Sequence, residues 1–232
     1  MSAQRLNGGA VSRQRHPARW HIPAHRHLSP YATLLLEGGY CEAGESGRWN
    51  VEPGMLIVHA RGESHADWFG SQATHLVDFA ISDDIEPGVY RPDNVDELVG
   101  SIGSNGRPLE FGLLEAVAGQ ADWPDLLAAD IRRNARLSLG DWADRHGVRP
   151  ETVSRGFSRA YGVSPAAYRT GVKVKAVVAA LHEGGDSLAE LAAEQGFADQ
   201  PHMNRVVRDA TGRTPTQLRK VKSVQDGVAA PD

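Results

Sequence analysis

The chain has one cysteine, Cys41, among its 232 residues. That excludes an intramolecular disulfide framework and makes a reducing, cytoplasmic compartment the expected one. No apolar run reaches the roughly 20 residues of a membrane-spanning helix, so no membrane partner is expected. The first residues carry Arg5, Arg13 and Arg15 without an apolar stretch, unlike a secretory leader. A strong charge of one sign is also missing. The net charge is −4, which by itself does not suggest a nucleic-acid partner. What is present is enough apolar material, 41% of residues, for one large domain or two ordinary ones.

The charge divides unevenly. Residues 138–222 hold 13 Lys+Arg against 9 Asp+Glu, a net of +4, whereas residues 1–137 hold 12 against 18, a net of −6. Such asymmetry fits an acidic sensing half and a basic nucleic-acid half.

The basic half contains one motif twice. Ser138-Leu139-x-x-x-Ala143-x-x-x-Gly147 recurs 49 residues later as Ser187-Leu188-x-x-x-Ala192-x-x-x-Gly196. Arg155-x-x-x-x-Ala160-x-Gly162-x-Ser164-Pro165 recurs after 50 as Arg205-x-x-x-x-Ala210-x-Gly212-x-Thr214-Pro215. Ser138 and Ser187 open helices, each with an acid three residues on as in a capping box. Gly147 and Gly196 supply the left-handed turn that ends them. Each copy therefore predicts a helix-turn-helix, with second helices over about 150–160 and 200–210. Ser164-Pro165 starts a linker helix to about His182, closed by Gly184-Gly185. Eighteen helical residues span roughly 27 Å, enough to set two recognition helices about one DNA turn apart. A helical module that does not bind DNA is the alternative.

The acidic half reads differently. Short apolar runs (residues 32–36, 55–58 and 75–81) are separated by glycine turns from about Trp20 to Ser82, which predicts a small β barrel or sandwich. Residues 1–15 read as a loose arm. Residues 93–136 read as helical, including 109–117, and are placed to form a dimer interface or a signal relay. Seven of the ten histidines lie between positions 16 and 75. His25-Arg26-His27 puts two imidazoles on one strand face, because side chains alternate. Trp20, Trp49, Trp68 and Phe79 are expected in the core or pocket wall.

The repeated segment resembles the AraC/XylS family of transcription regulators over about 138–220. Its most specific stretch is Ala192-x-x-x-Gly196-Phe197-x-Asp199-Gln200, then Arg205 and Gly212-x-Thr214-Pro215. The resemblance implies base contacts from Glu151, Thr152, Ser154 and Arg155 in the first recognition helix, and from Gln200, His202, Asn204 and Arg205 in the second. Arg and Gln or Asn side chains suit guanine and adenine edges; a structural role for Arg155 and Arg205 stays open. Lys173, Lys175, Arg208, Arg219 and Lys220 are the expected phosphate contacts. Arg149, Pro201 and Val207 depart from the family pattern.

His25-Arg26-His27, Pro53-Gly54 and Gly62-x-x-His65 resemble the two motifs of the cupin superfamily, with Tyr31 where a glutamate ligand usually stands. The resemblance implies one divalent ion, zinc or another first-row metal, on His25, His27 and His65, with Tyr31 beside it. An organic-ligand pocket without metal is the alternative. The offset of His59 from His65 leaves its place undecided.

The expected fold is α+β. It comprises a cupin-like barrel over 16–85, a helical connector over 93–136, and an all-α domain of two helix-turn-helix units over 138–222. The expected function is a sequence-specific transcription regulator, not an enzyme, that binds double-stranded DNA and senses a metal or small molecule. It would act as a homodimer, and with RNA polymerase if it activates. A metal-dependent cupin enzyme fused to a DNA-binding module is the alternative, and an adaptor that has lost DNA binding is a third.

Overall fold

Strand β4 (Tyr31–Glu37) is an almost unbroken apolar run because both its faces are covered. Its Ala32 and Leu34 pack outward with Leu56, Val58, Val77 and Phe79 against Leu98 and Ile102 of helix α1 (Val95–Ile102). Its Leu35 faces inward with Ile57, Leu76 and Val89, meeting Tyr40, Trp49, Val51 and Phe69 from a second sheet. The structure is a computed structural model that describes residues 5–6, 11–102, 109–110, 114–184 and 187–219.

Six antiparallel strands form the first sheet, in the order β12 (Leu114–Val117), β10 (Gly88–Pro92), β7 (Leu56–His59), β4, β9 (Thr74–Ala80) and β2 (Val11–His16). Four form the second, in the order β3 (His21–Arg26), β8 (Ser64–Phe69), β5 (Tyr40–Gly44) and β6 (Arg48–Val51). A short pair, β1 (Arg5–Leu6) with β11 (Leu109–Glu110), lies outside both. The inward side chains of the two sheets fill the space between them at one end and line a polar pocket at the other.

The helical half is α2 (Trp123–Arg133), α3 (Leu139–Arg145), α4 (Pro150–Tyr161), α5 (Pro165–Glu183), α6 (Leu188–Glu194) and α7 (Gln200–Thr211). One core gathers Leu127 and Ile131 of α2, Trp142 of α3, Phe157 and Tyr161 of α4, and Tyr168 of α5. The other gathers Val174, Val177 and Leu181 of α5, Leu191 and Ala192 of α6, and Met203 and Val207 of α7. Helix α5 thus belongs to both cores. Gly147 and Gly196 take matching left-handed φ angles of 64° and 68°, where a side chain would be strained.

Three expectations change. Val11–His16 is not part of a loose arm but an edge strand paired with β9 from Val11↔Phe79 to His16↔Thr74. Its polar side chains hid it, because backbone pairing at an edge needs no apolar face. Residues 93–136 are not helical throughout, since Leu114–Val117 pairs with β10. Short apolar runs do not separate strand from helix, and 111–113 lie outside the described residues, as does Gly185. Helix α2 is no connector either, since it packs into the first helical core. Trp20 is 53% exposed rather than in the core.

The two halves are joined by charge as well as packing. Arg48 of β6 meets Asp125 of α2 at 2.9 Å, with side chains 12% and 8% exposed, and Asp125 also accepts from Tyr161 Oη at 2.9 Å. Arg48→Ala leaves that carboxylate buried without its cation, so unfolding free energy should drop by about 3 kcal/mol. Urea titration of the variant checks this; a drop below about 0.5 kcal/mol, the range of an ordinary surface substitution, would show that the pair does not hold the halves together.

Candidate functional site

In both repeats a capped helix leads into a second helix with one exposed face. Ser138 Oγ accepts from Asp141 N and Ser187 Oγ from Glu190 N, each at 3.2 Å. The Glu190 carboxylate in turn accepts from Ser187 N at 3.0 Å. Helix α7 is capped by Asp199, which accepts from His202 N at 2.6 Å. Helix α4 starts after Arg149 with no side-chain cap and relies on Pro150 in its first turn.

On α4, Val153 and Phe157 point into the core while Glu151, Thr152, Ser154 and Arg155 are all exposed. On α7, Met203 and Val207 are fully buried, and Arg205 and Arg208 are exposed. Gln200, His202 and Asn204 are half-buried. His202 Nδ1 accepts from Ala198 N at 3.4 Å, and Asn204 Oδ1 is enclosed without a hydrogen bond. The α4 face therefore presents four expected contacts together, and the α7 face chiefly its arginines.

Two expected phosphate contacts are engaged elsewhere. Lys173 Nζ donates to Gly196 O at 2.7 Å and lies 5.4 Å from the Phe197 ring centroid. Its ammonium closes the turn after α6. Lys175 Nζ donates to Ser46 Oγ at 3.1 Å and Glu63 Oε2 at 3.4 Å, both in the N-terminal half. Their spacing on α5 marked them as basic but not which side of the helix faced a partner. Lys220 lies outside the described residues.

Residues 142–221 match a family model described as a helix-turn-helix domain. The chain is 25% identical over 108 residues to the bifunctional transcriptional activator/DNA repair enzyme AdaA of Bacillus subtilis (strain 168). That match covers 46% of this chain and 51% of the relative, about half its length. Among solved structures, the C-terminal domain of AraT, a response regulator from Geobacillus stearothermophilus, is 20% identical with TM-score 0.41, covering 44% of this chain and 86% of that one. Unsaturated fatty acid bound wild-type ToxT from Vibrio cholerae strain SCE256 is 7% identical with TM-score 0.46 over the whole of both chains. Residues 142–221 form a helix-turn-helix domain.

The helix-turn-helix domain rests on the N-terminal half through α5, next to the histidine pocket. That cavity, about 80 Å³, lies between the two sheets. His25 of β3 pairs across the strands with His65 of β8, and His27 follows directly after β3. Ligand atoms of His25, His27 and His65 lie within 4.8 Å of one another, so the three expected histidines do converge. Tyr31 Oη lies 3.2 Å from His65 Nε2, and its ring stacks on His59 at 4.2 Å. Buried His27 Nε2 and His65 Nδ1 have no hydrogen-bond partner. Burial lowers the pKa of His27, His65 and His59, the last to about 3. Those three rings are therefore neutral at pH 7, with lone pairs free to coordinate.

The sequence reading missed the acids of this pocket. Glu42 of β5 and Asp67 of β8 face each other across the strands, and Asp78 of β9 completes the wall with Gln14 and His16 of β2. Burial raises the carboxyl pKa of Glu42 well above its ordinary range and that of Asp67 to about 7. The available signal was alternation: Asp67 lies two residues after His65 and so shares its face. Glu37 stands apart, on half-buried His75 at 3.1 Å.

If Lys173 secures the α6 turn, Lys173→Met should cost about 1 kcal/mol of stability, the usual net worth of a hydrogen bond. Arg205→Ala, on an exposed face, should cost less than about 0.5 kcal/mol. Thermal unfolding of the DNA-free protein compares them; equal costs would return Lys173 to the surface contacts.

Proposed function

We propose that the protein is a sequence-specific DNA-binding transcription regulator whose N-terminal pocket binds its effector. The observation that carries this is the duplicated unit with exposed α4 and α7 faces, in a domain of the AraC type. The two faces would enter successive major-groove segments of double-stranded DNA. Glu151, Thr152, Ser154, Arg155 and Arg205 would lie against base edges, with Gln200, His202 and Asn204 at the margin and Arg208 on phosphate.

The effector is a divalent first-row ion or a small polar molecule. His25, His27 and His65 bring imidazole nitrogens to fitting separations for an ion, and the unsatisfied nitrogens of His27 and His65 favour that reading. The protein would work in the cytoplasm as a homodimer, with 93–136 as the candidate interface and Leu126, 47% exposed, on its surface. RNA polymerase would be a further partner of an activator.

Strand β3 supplies a route from pocket to DNA. Between the pocket residues His25 and His27, Arg26 turns to the other side. It bonds Glu45 at 2.6 and 3.2 Å, Gly62 O, and Gly171 O of α5 at 3.4 Å. A Cβ at Gly171 would stand 2.2 Å from Glu45 Oε1, so glycine lets α5 approach this pair. Buried Glu63 lies two residues before His65 and receives Lys175 of α5. An effector that prefers one placement of these strands would bias the seating of α5 and, through it, both recognition helices.

Two measurements test this. Arg155→Ala and Arg205→Ala should each weaken binding to a selected DNA site by about 1–3 kcal/mol and relax its sequence preference, whereas Lys175→Ala should leave the salt slope unchanged. If both arginine variants keep wild-type preference, they do not read bases. Separately, Zn²⁺, Fe²⁺ or Mn²⁺ should alter wild-type DNA affinity, and Arg26→Gln should abolish that response while ion uptake persists. A retained response would remove Arg26 from the route.

A further inference from the structure

The pocket continues inward past His25 and His27. Glu42, His59 and His65 come from three different strands, β5, β7 and β8, and one ligand atom of each lies within 4.8 Å of the others. They are only 2%, 2% and 4% exposed. The Nδ1 atoms of His59 and His65 and the Oδ1 of Asp67 are buried without a hydrogen-bond partner. His59 Nδ1 stands 3.5 Å from Glu42 Oε1, too far for a good hydrogen bond.

The charges here are as unbalanced as the hydrogen bonds. Glu42, Asp67 and Asp78 line the cavity, and no lysine or arginine is among the described lining residues. Buried carboxylates without a cation are costly, and so are unsatisfied imidazole nitrogens. A divalent ion would relieve both, by taking the nitrogen lone pairs and offsetting the negative charge.

We propose that Glu42, His59 and His65 are the ligands of a divalent first-row metal ion, one layer deeper than the His25–His27–His65 set. Two histidines and one carboxylate with open positions suit Fe²⁺, and also Zn²⁺. The carboxylate missing at Tyr31 is supplied from β5 instead. His65 belongs to both sets, so an ion can draw it only one way. The inner set offers a carboxyl group and near-complete burial, whereas His25 and His27 are partly exposed. Asp67, opposite Glu42 across the strands and 3.9 Å from His65 Nε2, and Tyr31 on the same ring nitrogen, hold the ligands in place. His25 and His27 then guard the mouth, where a second effector molecule would meet the ion's open positions. This inference rests on reading the N-terminal pocket as the effector site.

The test uses the full chain, stripped of metal, titrated with Co²⁺ and followed by its visible absorption, with Zn²⁺ and anaerobic Fe²⁺ content per chain measured in parallel. Wild type and the His25→Ala/His27→Ala variant should each hold one ion per chain. Glu42→Gln and His59→Gln should each weaken binding by more than the roughly 10–100-fold that loss of an outer supporting group costs. Wild-type affinity in both of those variants, with loss in His25→Ala/His27→Ala, would overturn the proposal and leave the outer histidines as the metal site. Absence of any bound ion in wild type would also overturn it, leaving an organic effector. Should Glu42→Gln fail to fold, imidazole nitrogen NMR of the wild type decides: Zn²⁺ should shift His59 and His65 but not His25 and His27, and the reverse pattern overturns the assignment. DNA affinity of the metal-free chain, measured alongside, keeps the DNA reading separate from the metal one.

Discussion

Helix α5 has to satisfy three surfaces at once. One side supplies Tyr168 to the first helix-turn-helix core, another supplies Val174, Val177 and Leu181 to the second core, and a third lies on the N-terminal sheets. That third contact is possible because Gly171 leaves room for the Arg26–Glu45 pair, and it is reinforced by Lys175 on Glu63 and by Tyr168 Oη donating to Gly44 O at 3.3 Å. Since packed interfaces shift between discrete arrangements rather than deform smoothly, a change in how α5 sits would be felt by α4 and α7 together.

The same strands that seat α5 also carry the pocket. On β3 the residues alternate between pocket and helix; on β8 and the turn before it, Glu63 faces α5 and His65 faces inward. Polar groups occupy both sides of these strands at a point where a globular domain would ordinarily bury apolar side chains. The cost is visible as unpartnered atoms on His27, His59, His65 and Asp67. Groups left in that state mark a place where something else completes the hydrogen bonding.

Much of the helical half was legible in the chain alone. Ser138 and Ser187 cap, Gly147 and Gly196 turn, and Pro150 and Pro165 start helices through local rules that need no knowledge of the rest. The β half was legible only in outline. Gly-rich punctuation marked short strands, and the spacing of His25, His27 and His65 pointed to convergence. Strand β2 escaped because an edge strand can be wholly polar, and Leu114–Val117 escaped because a four-residue apolar run fits either structure. Glu42 carried no motif at all. Its role depends on Asp67 and His59 arriving from strands 25 and 17 residues away in sequence.

By itself, then, the sequence determined a duplicated helix-turn-helix unit, its helix boundaries and the exposed face of α4, because capping and 3.6-residue periodicity act within a few residues. The tertiary structure alone decided that Lys175 faces Glu63, that Arg26 holds α5, and that Glu42 joins His59 and His65. Each of those depends on long-range strand pairing and helix docking. Strand register sets which side chains share a face, and residue spacing along the chain carries no record of which element will lie opposite.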